Sequence, residues 1–235
     1  VTITWAPGLY TDIGWKNYDS WISYGFDNYL FTPNKKIHGL LTRLAFLNLL
    51  HPFQPFVLGQ NSLASRFASS RGIKLIVYGD GMAEKFIGKI NRAEEKERKE
   101  HKIMKHHYAE NNEKIYLGGL EVEEIKDKYK VSQSDLNPFL PIRRNEIEKM
   151  NLKILHITNF INYNPQSNYY FAKEKTGFQV NPDGRSEGTY TKYQSLDDKL
   201  DGLHYYTWFV KSGRGRATED AALEVRNKII TREEA

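Results

Sequence analysis

The chain has 235 residues, 40% of them hydrophobic and 27% charged, which suits one globular domain or one domain with a sizeable insertion. It contains no cysteine, which excludes a disulfide, a thiol nucleophile and cysteine-ligated zinc within these residues. The net charge of +5 is compatible with nucleotides, anionic sugars or nucleic acid, and no apolar run is long enough for a transmembrane helix.

Val1 to Trp5 alternates β-branched residues and predicts a buried strand closed by Ala6-Pro7-Gly8. A chain that opens in mid-strand, with no methionine and no signal peptide, is expected to be a cytoplasmic fragment or the ordered part of a longer protein. Asp12 to Tyr24 predicts a helix with Ile13, Tyr18, Trp21 and Ile22 sharing a face, stopped by Gly25. Asp27 to Thr32 predicts a second strand. Lys36 to Leu50 has Ile37, Leu40, Leu41, Leu44, Phe46 and Leu47 at helical spacing, and Pro52 and Pro55 are expected to break that helix. Ser62 to Ser70 predicts a helix ending at Gly72, and Ile73 to Tyr78 a third strand running into Gly79-Asp80-Gly81. This alternation predicts an α/β fold, a parallel sheet flanked by helices, with ligands at the carboxyl ends of strands. Ala6 to Thr11, Thr32 to Asn34 and Gly79 to Glu84 are therefore the places for a site.

Lys89 to Lys114 is dense in charge and predicts a solvated insertion. His101, His106 and His107 lie in it, but adjacent His106 and His107 would point to different helix faces, which argues against a metal site. Beyond it, Val122 to Tyr129 predicts a helix, Leu152 to Ile161 a strand and Tyr169 to Gly177 a helix. Two further helices are expected over Leu196 to Ser212 and Thr218 to Asn227. The expected organisation is 1–88 as a partial α/β domain, 89–115 as a charged insertion, and 116–235 completing the same domain and its substrate site.

Three constellations carry chemistry. In Tyr78 to Glu84 (YGDGMAE), glycines allow close backbone approach, and Asp80 and Glu84 offer oxygen ligands for magnesium; the simpler reading is a strand-to-helix turn capped by Asp80. Asp197, Asp201 and His204 stand at i, i+4 and i+7, so a helix through them would align two carboxylates with an imidazole. The simpler reading is an acidic helix start with His204 in the core. Ser212 to Thr218 (SGRGRAT) sets Arg214 and Arg216 among glycines before a helix, a plausible anion site with Ala217 or Thr218 near the cap. The many tyrosines of this half, with Trp208, read mainly as core; some are candidates to stack on a sugar or base.

Taken together, VTITWAP…YTDIGWKN, GFDNYLFTPN, HPFQPFVLGQ, YGDGMAE, GTYTKY, SLDDKLDGLHYY and GRGRATEDAALEVR…ITREEA resemble the N-acetyl sugar amidotransferases of the PP-loop ATP-pyrophosphatase superfamily. The resemblance spans nearly the whole chain apart from the charged insertion. It implies an adenine-nucleotide α-hydrolase-like fold and a role in lipopolysaccharide, O-antigen or flagellin-glycan biosynthesis. The implied reaction activates the acetamido oxygen of a sugar or UDP-sugar with ATP and Mg2+. Ammonia, delivered by a glutaminase and a cyclase-like subunit, then displaces AMP to leave an acetamidino group. No nucleic-acid partner and no membrane insertion are implied. By the same resemblance, Thr4, Trp5 and Ala6 meet adenine, Gly79, Asp80 and Gly81 meet the nucleotide, and Glu84 binds magnesium. Asp198, Lys199, His204, Arg214 and Arg216 fall in the C-terminal signature, with Lys199 and the arginines expected to balance phosphate charge. The sequence departs from the family's pattern at Asp80-Gly81 and at Tyr163-Asn164. The family's PP-loop, and the cysteine pairs that would hold a structural zinc, are expected upstream of Val1, so these residues alone are expected to use ATP poorly. The alternatives are a tRNA-thiolation type of PP-loop enzyme, or a non-catalytic scaffold that binds a nucleotide-sugar or the glutaminase.

Overall fold

The computed structural model describes residues 1–79, 107–161 and 163–235. It is an α/β protein. In chain order its elements are β1 (Thr2–Trp5), α1 (Asp12–Ser23), β2 (Asn28–Phe31), α2 (Lys35–Leu49), α3 (Gln54–Arg71), β3 (Leu75–Tyr78), β4 (Tyr108–Ala109), β5 (Tyr116–Leu117) and β6 (Leu120–Glu121). There follow α4 (Val122–Tyr129), α5 (Gln133–Leu136), β7 (Ile142–Arg143), α6 (Arg144–Met150), β8 (Lys153–His156), α7 (Pro165–Thr176), α8 (Asp201–Ser212) and α9 (Arg216–Arg226). Among the described residues the strands pair in twos: β1–β2, β3–β8 and β4–β7 are parallel, and β5–β6 is antiparallel. No helix among them is long and apolar enough to cross a membrane.

The chain forms two compact units, one of Val1–Phe31, Leu50–Pro52 and Asn164–Ala235, the other of Thr32–Leu49 and Phe53–Tyr163. In the first, β1 and β2 run in register from Thr2↔Asn28 to Trp5↔Phe31. Asn28 opens β2 at the start of this pair. Its Nδ2 donates to Thr2 Oγ1 at 2.9 Å and Thr4 Oγ1 at 3.0 Å, while its Oδ1 accepts from Tyr18 of α1 at 2.8 Å. Helix α1 starts at Asp12 because Thr11 caps it, its Oγ1 accepting the Gly14 N–H at 2.9 Å. The cap of α7 is Asn164, and Pro165 occupies the first turn, where no N–H donor is needed. That helix therefore begins four residues before the Tyr169 expected from apolar periodicity.

In the second unit the core gathers Ala68 of α3, Ile142, Ile147, Leu152 and Ile154, with Ile76 and Tyr78 of β3 packed against it. The expected break after Pro52 extends only to Phe53. Helix α3 begins at Gln54, eight residues before the expected start, because Pro55 lies in the first turn and needs no hydrogen-bond donor there. Its end at Gly72, in the left-handed conformation with φ of 66°, is as expected. The strand expected over Leu152 to Ile161 is confined to β8, since the chain tightens into a 3-10 turn at Ile157–Asn159. Gly118 makes the closest approach in this unit. Its φ is 57°, and a Cβ there would stand 2.6 Å from Leu44 Cβ of α2.

Candidate functional site

The carboxyl end of β1 is closed by a carboxylate from the far end of the chain. Trp5 and Ala6 are buried, Trp5 packs on Phe31 with ring centroids 4.9 Å apart, and the Ala6 N–H donates to Phe31 O at 2.9 Å. Beyond them, Asp198 accepts the Gly8 N–H on Oδ2 at 2.8 Å and the Leu200 N–H on Oδ1 at 2.8 Å. Its neighbours extend the join: Thr11 N–H donates to Asp197 O at 3.1 Å and Lys199 N–H to Leu9 O at 2.9 Å, around an antiparallel bridge between Tyr10 and Asp198. Asp198 is only 5% exposed, so both its oxygens are committed to backbone donors inside the protein. The Lys199 side chain is exposed beside this closure. Thr4, Trp5, Ala6, Asp198 and Lys199 are thus brought to one strand end, where open α/β folds place their ligands.

The helix expected from Leu196 begins only at Asp201. Asp198 O accepts the Asp201 N–H at 3.2 Å, and Ser195 takes a left-handed φ of 51°, so the preceding segment turns instead of coiling. The i, i+4, i+7 alignment of Asp197, Asp201 and His204 is therefore not formed; only Asp201 and His204 are on the helix. Burial pushes the Asp201 carboxyl up to about 7, helped by the charges of Asp197 and Asp198 and opposed by Arg216 and a hydrogen bond with Ser195.

Helix α9 begins at Arg216 with Gly215 as its N-cap, two residues before the start expected at Thr218. Arg216 is 5% exposed and has partners on every side. Its Nη1 donates to Ser195 Oγ at 2.7 Å and its Nη2 to Gln194 Oε1 at 2.8 Å; Asp220 Oδ2 lies 3.9 Å from Nε, and the guanidinium stands 4.1 Å over the Tyr205 ring. Asp220 also accepts from Thr189 Oγ1 at 2.6 Å, and Glu224 accepts from Tyr190 OH at 2.9 Å. The guanidinium expected to meet phosphate thus holds the 189–195 segment, α8 and α9 together.

A cavity of about 380 Å³ lies along the other half of α8. On one side are Leu50 and His51; on the other are His204, Trp208, Lys211, Ser212 and Arg214. His204, Trp208 and Lys211 are at i, i+4 and i+7 of a real helix and share a face. Leu50 adopts a left-handed φ of 49°, which turns the chain so that His51 stacks on His204, centroids 5.2 Å apart and planes 24° apart. Trp208 meets His204 edge-on at 6.2 Å. Burial lowers the pKa of both imidazoles: His51 downward, with Lys211 adding to the effect, and His204 to about 4, with His51 and Arg216 adding. Lys211 and Arg214 are exposed at the rim, and Gly213 closes α8 with φ of 69°. Of the expected site residues, His204 and Arg214 line this cavity. Sequence reasoning does not single out His51 or Lys211. Helical period from His204 reaches Lys211, whereas His51 carries no local signal.

In the second unit, Gly79 directly follows β3. Asp80, Gly81 and Glu84, with His101 and His106 of the charged stretch, lie outside the described residues. His107 is 1% exposed, and its Nε2 is 3.0 Å from Nε2 of His156, with Tyr78 stacked on both rings. Among the described residues, no group of three or more His, Asp or Glu could hold a metal ion.

Residues 187–235 match the family described as LPS biosynthesis protein WbpG-like, C-terminal domain. This segment holds the Asp198 closure, α8, α9 and one wall of the cavity, and it is similar to the C-terminal domain of a lipopolysaccharide-biosynthesis family. No curated protein matches the chain.

Proposed function

We propose that the chain belongs to an ATP-dependent enzyme of lipopolysaccharide biosynthesis that converts the acetamido group of a sugar into an acetamidino group. The observation that carries this reading is that the segment similar to the lipopolysaccharide-biosynthesis family is bound by Asp198 to the carboxyl end of β1. A segment similar to that family therefore closes the end of β1, and ligand binding at strand ends in open α/β folds supports the reading.

In the proposed reaction the acetamido oxygen attacks the α-phosphorus of ATP, pyrophosphate leaves, and an O-adenylated imidate forms. Ammonia adds to the imidate carbon, AMP departs with the oxygen, and loss of a proton leaves the amidine. Adenylation replaces a poor leaving group with a good one, and cations near the phosphates stabilise the developing charge. Lys199 and Arg214, both exposed, are the groups suited to that charge. Asp198, with both oxygens on backbone donors, and Arg216, with Nη1 and Nη2 hydrogen-bonded internally, are positioning residues. His204, held neutral, is suited to hydrogen bonding in place of ion pairing. Magnesium would add to phosphate neutralisation when bound. Because the chain has no cysteine for a glutaminase thioester, ammonia is proposed to come from a separate glutaminase working with a cyclase-like subunit.

The test is to incubate protein made from the complete coding sequence with ATP, magnesium, ammonium and a UDP-linked acetamido sugar. AMP, pyrophosphate and an acetamidino product are expected in equal amounts. Release of ADP, or a sugar unchanged in mass, overturns the reading.

A further inference from the structure

The cavity beside α8 has a chemistry of its own, separate from the closure at β1. Its wall is aromatic: the stacked His51 and His204 rings, with Trp208 edge-on to one of them. Such a surface accepts the face of a flat ring, and base stacking of this kind is tolerant of which base is present. Its rim carries the basic side chains of Lys211 and Arg214, whereas burial lowers the pKa of both imidazoles, so the attraction for an anion comes from one edge of the cavity.

Three features narrow the ligand. No carboxylate is among the cavity's described lining, so a bare sugar would find few strong acceptors for its hydroxyls. About 380 Å³ is far more than an inorganic anion fills and falls in the range of small organic ligands. The anion-attracting groups stand at the helix end, while the stacking surface begins two turns earlier at His204, which matches a molecule with a ring at one end and charge at the other. The turn that presents Arg214 is also fixed: Ser212 Oγ donates to Trp208 O at 2.8 Å and accepts the Arg214 N–H at 3.3 Å.

We infer that this cavity binds the nucleoside-phosphate end of a ligand, its base against His51, His204 and Trp208 and its phosphates against Lys211 and Arg214. Both ATP and a nucleotide-linked sugar carry such an end. The assignment deepens the proposed function, on which it rests for the presence of those two molecules.

Calorimetric titration of the 235-residue chain with UDP, AMP and inorganic phosphate, at one ionic strength, tests it. At least one nucleotide is expected to bind about tenfold or more tighter than phosphate, since stacking adds to charge. UDP ahead of AMP identifies the sugar carrier as the source, and AMP ahead of UDP identifies ATP. Replacing the exposed pair, Lys211→Ala with Arg214→Ala, is expected to weaken the better nucleotide about thirtyfold or more with the melting curve unchanged. Trp208→Phe keeps a ring and is expected to retain most of the affinity, whereas Trp208→Leu is expected to lose about tenfold. Nucleotides that bind no better than phosphate, or a double variant that binds like the parent, overturn the assignment. The two readings fail separately. Nucleotide binding at this cavity without amidine formation by the complete protein removes the reaction and keeps the site. Amidine formation by Lys211→Ala alone, with nucleotide affinity and KM like the parent's, removes the site and keeps the reaction.

Discussion

The two units each contain a parallel strand pair of four residues per strand, and the two pairs finish differently. At the end of β3 and β8, the register partners Tyr78 and His156 meet a third ring, His107, and the two imidazoles are hydrogen-bonded to each other in the interior. At the end of β1 and β2, the register partners Trp5 and Phe31 pack as rings, and the chain beyond is closed by a carboxylate taking two backbone donors. The imidazoles of this unit lie elsewhere, stacked ring on ring beside a cavity. Equivalent backbone leads to different chemistry because of the last residues of the strands: β3 and β8 end in Tyr78 and His156, which bring polar atoms of their own, whereas β1 and β2 end in Trp5 and Phe31, and a carboxylate remote in sequence closes the chain beyond. One pair of imidazoles shares a hydrogen bond in the interior; the other stacks beside open volume, the surface proposed for a ligand.

Breaking the carboxylate closure should have the largest effect. Asp198→Ala orphans two backbone N–H groups and is expected to cost about 4 kcal/mol. For a chain of this length that lowers the melting temperature by roughly 10 °C, with amide protection lost at Gly8 and Leu200 first. In the other unit, His156→Leu leaves His107 Nε2 without this partner and is expected to cost about 3 kcal/mol. The double variant with His107→Leu should be more stable than the sum of the single effects implies, and strict additivity in the cycle would show that the pair does not act as one. Gly14→Ala probes the closure from another side: its Cβ would fall 2.7 Å from Asp197 Cα, and a cost of about 2 kcal/mol is expected in urea unfolding. The smallest effect has the opposite sign. Asp201, raised to about 7 when folded from an ordinary 3.8, favours the folded state when protonated, so its contribution is greatest at low pH and is lost as pH rises through 7. Asp201→Asn is therefore expected to match the parent near pH 4 and to be about 1–2 kcal/mol more stable at pH 8, a discounted figure because the carboxyl is only partly buried. Equal melting temperatures at pH 8 would mean that Asp201 is not held in its neutral form.

Much of this architecture is legible locally. Elements β1, α1, β2 and α2 fall within a residue or two of expectation, since Thr11 and the spacing of Leu40, Leu41, Leu44 and Leu47 are short-range signals. The misplacements have local causes of a subtler kind. Pro55 looks like a helix breaker but is harmless in a first turn, and Leu196 to Leu200 has helical spacing but is turned by Ser195 and by the Asp198 hydrogen bonds. The site divides in the same way. His204 and Arg214 stand out in a sequence because they are near one another, whereas the role of Asp198 depends on Gly8, and that of His204 on His51, neither of which is a neighbour in the chain. Arg216 shows the limit of composition. A glycine-flanked arginine before a helix has the pattern of an anion site, yet its partners are Ser195, Gln194, Asp220 and Tyr205.

The Asp198 closure also sets an order of events during synthesis. Gly8 and its carboxylate partner are 190 residues apart, so at roughly 5–20 residues per second the end of β1 waits on the order of 10–40 s for the group that secures it. In that interval all of Thr32–Leu49 and Phe53–Tyr163 emerges, and the unit they form has every segment it needs. Strand β1 is translated long before the carboxylate that closes its end, and until Asp198 emerges the Gly8 N–H is without that acceptor.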